Sequence, residues 1–139
     1  MGFEMFRTSY RVGKQSRIVQ LSLLVGSLAF VLYIVNKTFF TKRYDWTFAH
    51  YYLNDVLAGI LIVAIVNVLA VLSHQRRLLL ISLIRILVFT LACGLFWEYV
   101  TPLYVTYSVW DPFDVLAYMF GGFCNWCIIR FELRFTRRE

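Results

Sequence analysis

Four carboxylates stand at the edges of apolar runs, where a hydrophobic chain seldom keeps charge: Asp55, Glu98, Asp111 and Asp114. Together with Asp45 they make up five of the eight acidic residues. An ionisable group in hydrocarbon costs roughly 2.5 kcal/mol or more, so each one calls for a physical reason. Carboxylates gathered at one depth attract a cation or the cationic part of a ligand, because like charges disfavour joint ionisation. The last apolar run carries a polar series, Asp111, Asp114, Tyr118, Gly121 and Asn125, at i, i+3, i+7, i+10 and i+14. At ~100° per residue, Asp114 and Asn125 differ by only about 20°, so one helix face holds the stripe and should point inward. The candidate pocket is therefore Asp55, Glu98, Asp111, Asp114 and Tyr118, with His50 supplied by the preceding loop. Any Mg²⁺ would fall to Glu98, Asp111 and Asp114, since hard cations take several oxygen ligands. No cofactor is otherwise implied.

Plain helix chemistry competes with that reading. Asp111 before Pro112 has the form of a helix start, with an acid at the N-cap and Pro in the first turn. Asp114 would then sit where the helix dipole favours an anion, and Asn54 and Asp55 could do the same at the start of the second span. Glu98 has no such explanation. It closes an apolar run, where the dipole disfavours an anion, and needs His50, Lys42, Arg43 or a ligand as partner.

A second group lies deeper. Asn67, Arg85 and Asn125 fall in the inner half of their runs and could form an inner polar layer, although Arg85 could equally snorkel to the interface. Cys124 and Cys127 have the C-x-x-C spacing without a second pair or a nearby His, so they and Cys93 read as buried structural thiols. No phosphate-binding loop, Ser-His-Asp set or zinc-protease motif is present. A carboxylate cluster alone defines no reaction, and the sequence supports no enzyme.

The elements that must position these residues are plain from composition. Of 139 residues, 60% are apolar and 16% charged, against about 45–50% and roughly 25% in soluble domains. The mean hydropathy is +0.67. Four apolar runs, about 18–35, 51–73, 78–100 and 112–131, each approach the ~20 residues a helix needs to cross a bilayer. The first has a longer apolar stretch than the ~7–15 residues of a signal-peptide core, and reads as a retained span. Short connections predict an all-α, antiparallel four-helix transmembrane bundle with sequential helices as neighbours, embedded in lipid as a single domain.

The net charge of +6 does not signal nucleic-acid binding, because the cations flank apolar runs. Arg7, Arg11, Lys14, Arg17, Arg76, Arg77, Arg130, Arg134, Arg137 and Arg138 fall on one side, and only Lys37, Lys42 and Arg43 on the other. The excess of cationic residues marks the cytoplasmic face, which puts both termini inside and the four acids outside. Tyr44, Trp46, Phe48, Tyr51, Tyr52, Trp97, Tyr99, Tyr104, Tyr107 and Trp110 crowd the outer side. They form either an interfacial aromatic belt or an aromatic wall around an outer-leaflet ligand.

The stretch from Glu98 to Asn125 resembles the signature region of the VanZ-like family, small bacterial membrane proteins named for a teicoplanin-resistance component. That pattern has a Glu ending one helix, a short outer loop, and an Asp-x-x-Asp-x-x-x-Asn-x-x-Gly-x-x-x-Gly opening the next. Glu98, Asp111, Asp114 and Gly121 match it, while Tyr118 replaces the Asn and Asn125 the last Gly. The His-containing start of the family's second helix is echoed loosely by His50 to Asp55. The resemblance covers roughly a quarter of the chain, and implies a multi-pass protein of the bacterial inner membrane serving the cell envelope.

Three functions fit these residues. One is an envelope protein whose outward acidic pocket binds a cation or a cationic, lipid-like ligand. Another is a small proton- or Mg²⁺-coupled transporter, which would need the inner layer to continue the pocket. The third is a homo- or hetero-oligomeric interaction subunit or effector without its own ligand, which would turn its acidic stripe outward.

Overall fold

The computed structural model describes residues 2–40, 52–104 and 111–135. His50, Lys42 and Arg43 lie outside the described residues, as do the belt residues Tyr44, Trp46, Phe48, Tyr51, Tyr107 and Trp110. The chain is all-α. Its four long helices are α1 (Gly2–Val35), α2 (Leu53–Leu72), α3 (Leu83–Val100) and α4 (Pro112–Phe135). Four stretches are long and apolar enough to cross a membrane: Ser16–Phe39, which runs from α1 into the π-helical turn after it, and Leu53–Leu72, Leu83–Val100 and Pro112–Arg134 in α2, α3 and α4. This is a small membrane protein built as a four-helix transmembrane bundle.

The directions of the helices follow from what meets at each end. Near the start of the first membrane-crossing stretch, midway along α1, Ile18 packs with Ala70 at the end of α2, and Leu133 at the end of α4 joins the same cluster. At the opposite end Asn36, in a π-helical turn (Asn36–Phe40) that continues α1, donates to the Asn54 side chain at the start of α2, 2.9 Å away. Consecutive helices therefore alternate in direction. Arg17, Arg76, Arg77, Arg130 and Arg134 mark one end, and Asp55, Glu98, Asp111 and Asp114 the other.

The packing order departs from the sequential arrangement expected from short connections. The helices run α1, α2, α4, α3 across the bundle, and α2 touches α3 only marginally. The central pair, α2 and α4, is parallel. Glycine is the cause. A Cβ on Gly59 would strike the Tyr118 carbonyl oxygen, and one on Gly121 the Val56 carbonyl oxygen. Two backbones meet there directly, which no residue with a side chain would permit. Against α3, a Cβ on Gly122 would lie 2.7 Å from the Thr90 methyl, so α4 is held closely on both sides.

The third span begins later than the apolar run suggests. α2 stops at His74, whose φ of 57° is the left-handed turn that commonly follows a helix. After a 3₁₀ turn (Arg76–Leu78), the chain re-enters the bundle without helical bonding until Leu83. Leu79 and Leu80 are buried there, Leu80 against Val63 and Ile86. Unbonded backbone is costly inside a membrane, and here Asn67 supplies the missing partners. Its Oδ1 accepts the Leu80 N–H at 2.7 Å, and its Nδ2 donates to the Leu80 carbonyl at 3.3 Å.

Candidate functional site

The acidic end is assembled from three helices. Asp111 starts α4 as the sequence expects: its Oδ1 accepts the Phe113 N–H at 2.9 Å, and Pro112 occupies the first helical position. Its other oxygen, Oδ2, accepts the Tyr52 hydroxyl at 3.4 Å, tying the start of α4 to the start of α2. Glu98, unfavourably placed in the last turn of α3, is engaged across the loop. Its Oε2 accepts the Asp111 backbone N–H at 3.3 Å.

Asp55 is not a cap. The residue preceding α2 is Tyr52, which makes no side-chain capping bond, and Asn54 is taken up by Asn36. Asp55 instead faces α4, where the Tyr118 phenol lies close enough to interact with its carboxylate. Tyr118 is buried, 9% exposed, one turn before Gly121. The close backbone approach of α2 and α4 at Gly59 and Gly121 thus sets the Asp55–Tyr118 approach, because Asp55 and Tyr118 each lie one turn before the glycine of their own helix.

These groups share one electrostatic environment. Asp55 interacts with Asp114, Glu98 and Asp111, and Asp114 with Glu98 and Asp111. Among the described residues, every charge acting on these two carboxylates is another acid. Two helix N-termini, those of α2 and α4, face the cluster. Each carries roughly half a positive charge, so together they offset about one of four carboxylates, and Glu98 sits at the negative end of α3. Among the described residues, no three His, Cys, Asp or Glu side chains stand where they could hold one metal ion. Glu98, Asp111 and Asp114 do not form the tight ligand set that Mg²⁺ would require.

The deeper polar residues do not converge on one layer. Asn125 donates to the Ile60 carbonyl at 3.0 Å, while Asn67 is occupied with Leu80. Ile60 and Asn67 are about 10 Å apart along α2. Arg85 is exposed on α3 and donates to the Arg77 carbonyl at 3.4 Å, lying at the basic interface. All three cysteines are free thiols. Cys93 and Cys124 are half-buried and Cys127 is exposed, so none is the fully buried thiol the sequence suggests.

Two participants carry no mark in the sequence that would single them out. Tyr52 is one aromatic among ten at the outer side, and its bond to Asp111 spans 59 positions with no local signal. Asn36, 2% exposed, lies just beyond the apolar core of the first run, with only its polarity there to mark it. Compared with known protein families, curated proteins and solved structures, the chain matches none.

Proposed function

We propose that this protein is a VanZ-like component of the bacterial cell envelope, sitting in the inner membrane with its acidic end outward and binding a cationic ligand there. The observation that carries the reading is the gathering of Asp55, Glu98, Asp111 and Asp114 from three helices within electrostatic reach of one another. Helix dipoles offset roughly a quarter of that charge. The remaining potential favours a cation or the cationic head of a lipid-like molecule. The loose spacing of the acids suits a diffuse organic cation better than a coordinated Mg²⁺. Transport is less well supported, because three of the buried polar side chains below the cluster, Asn67, Thr90 and Asn125, are bonded to backbone carbonyls.

The test is thermal unfolding of the full chain in uncharged micelles, with tetramethylammonium or Mg²⁺ added, for wild type, Glu98→Gln, Asp114→Asn and the double variant. A binding site predicts wild-type stabilisation by the organic cation, lost in both single variants, with little change in their ligand-free stability. Scaffolding acids would behave otherwise. Loss of a partnered buried charge costs about 3–5 kcal/mol, so early unfolding of both variants with no wild-type response would sink the proposal.

A further inference from the structure

A groove opens toward lipid between the outer halves of α2 and α4. Tyr52, Val56, Phe113, Leu116, Ala117 and Phe120 line it, and its volume is about 590 Å³. That lies within the ~300–1,000 Å³ typical of small-molecule sites. From Phe113 to Phe120 it runs about 10 Å along α4. The walls are almost wholly apolar, but the top is not. Tyr52 lines the groove and also donates its hydroxyl to Asp111 Oδ2, so a carboxylate stands at the groove's mouth. Beside that carboxylate, the Tyr52 and Phe113 rings meet edge to face, 6.4 Å between centroids and 69° between planes.

Aromatic faces next to a carboxylate form an environment that recognises alkylated ammonium groups, through the ring quadrupoles and the adjacent charge. The pairing is stronger at a lipid-facing mouth than in water, because the local dielectric is lower. Below it, the groove offers an apolar channel where a chain would lie parallel to the bilayer's own. Lipid tails are themselves apolar, so the channel selects through close packing on Leu116 and Phe120, not through a hydrophobic gain. A metal ion would use none of this apolar surface. An anionic or uncharged lipid would meet the carboxylate without complementing it.

The geometry points to a single-chain alkylammonium amphiphile as the ligand, its head between Tyr52, Phe113 and Asp111 and its chain along the α2–α4 groove. This rests on the cation-binding reading of the acidic end and narrows it to one chemical class. Leu116 and Phe120 are 57% and 56% exposed, so either can be enlarged to fill the groove without entering the helix contact.

The experiment uses the full chain in maltoside micelles, which carry no charge, and titrates dodecyltrimethylammonium against tetramethylammonium by thermal stability. Wild type should respond to the dodecyl compound at concentrations about tenfold or more below those needed for the short ion, the factor for each 1.4 kcal/mol of binding. Leu116→Trp, and independently Phe120→Trp, should abolish that advantage while leaving the tetramethylammonium response and the ligand-free stability unchanged. If both variants keep the dodecyl advantage while tetramethylammonium still acts, the groove assignment is wrong and the acidic site stands. If tetramethylammonium has no effect on wild type, or Glu98→Gln and Asp114→Asn respond like wild type to both compounds, the cation-binding reading fails and this inference with it.

Discussion

The α2–α4 crossing should be the least tolerant place in this bundle for a single added methyl group. In Gly121→Ala the new Cβ would overlap the Val56 carbonyl oxygen and approach the Ile60 nitrogen and Val56 carbonyl carbon at 3.0 Å. All three contacts are backbone, which cannot rotate aside. Overpacking costs about 1–3 kcal/mol, and a backbone obstacle puts this case in the upper half of that range. Alanine returns about 0.8–1 kcal/mol of helix propensity. The net expectation is a loss of about 1–2 kcal/mol, from the difference of those two effects. Two internal controls calibrate it. Gly13 has nothing within 4 Å of the place its Cβ would take, so Gly13→Ala should gain up to about 1 kcal/mol. At Gly26 the nearest atom is the Ala64 Cβ at 3.2 Å, a side chain on a neighbouring helix, so Gly26→Ala should fall between the two. Denaturant-induced unfolding of the three variants in micelles measures the series. Forcing α2 away from α4 should also draw Asp55 away from Tyr118 and weaken the response to tetramethylammonium. Stability of Gly121→Ala equal to or above that of Gly13→Ala would refute the direct backbone crossing.

Two further expectations concern the basic end and the orientation. Asn67→Leu removes both side-chain partners of the Leu80 backbone and should cost about 1–3 kcal/mol, with faster hydrogen exchange at the Leu80 amide; unchanged exchange there would show that Asn67 does not hold the re-entrant segment. Ser108→Cys should be labelled from outside intact cells by an impermeant thiol reagent, as ten cationic residues against three require, and labelling only after permeabilisation would invert the topology.

The sequence exposes the spans and the Asp111–Pro112 helix start because each depends on neighbours along the chain. Hydropathy accumulates over about 20 consecutive residues, and a cap is decided within one turn. Helix pairing has no such local record. In a bundle whose helices are apolar on nearly every side, periodicity does not mark the packed face, and lipid offers no hydrophobic drive to choose one neighbour over another. The choice falls to small residues in register. Gly59 and Gly121 are visible in the sequence as residues that allow close approach, but that each faces a backbone carbonyl of the other helix is a property of the assembled pair.

The same distinction explains Asp55. Its position near the start of α2 makes a cap the simple expectation, but Tyr52 precedes the helix without a side-chain cap and Asn54 is engaged by Asn36. Asp55 is then left to face Tyr118 across the α2–α4 contact. A phenol reaches farther than an amide and can give a carboxylate one hydrogen bond while burying its ring. Tyr118 therefore places a polar group opposite Asp55 and apolar bulk between α2 and α4. Asp114 has only other acids, Glu98 and Asp111, acting on it among the described residues. On the proposed cation-binding reading, an entering cation would meet those carboxylates together with Asp111, whose two oxygens are already oriented by Tyr52 and by the first turn of α4. Such pre-set geometry lowers the ordering cost of binding, which is why the helix start, capped in the ordinary way, can still serve a ligand.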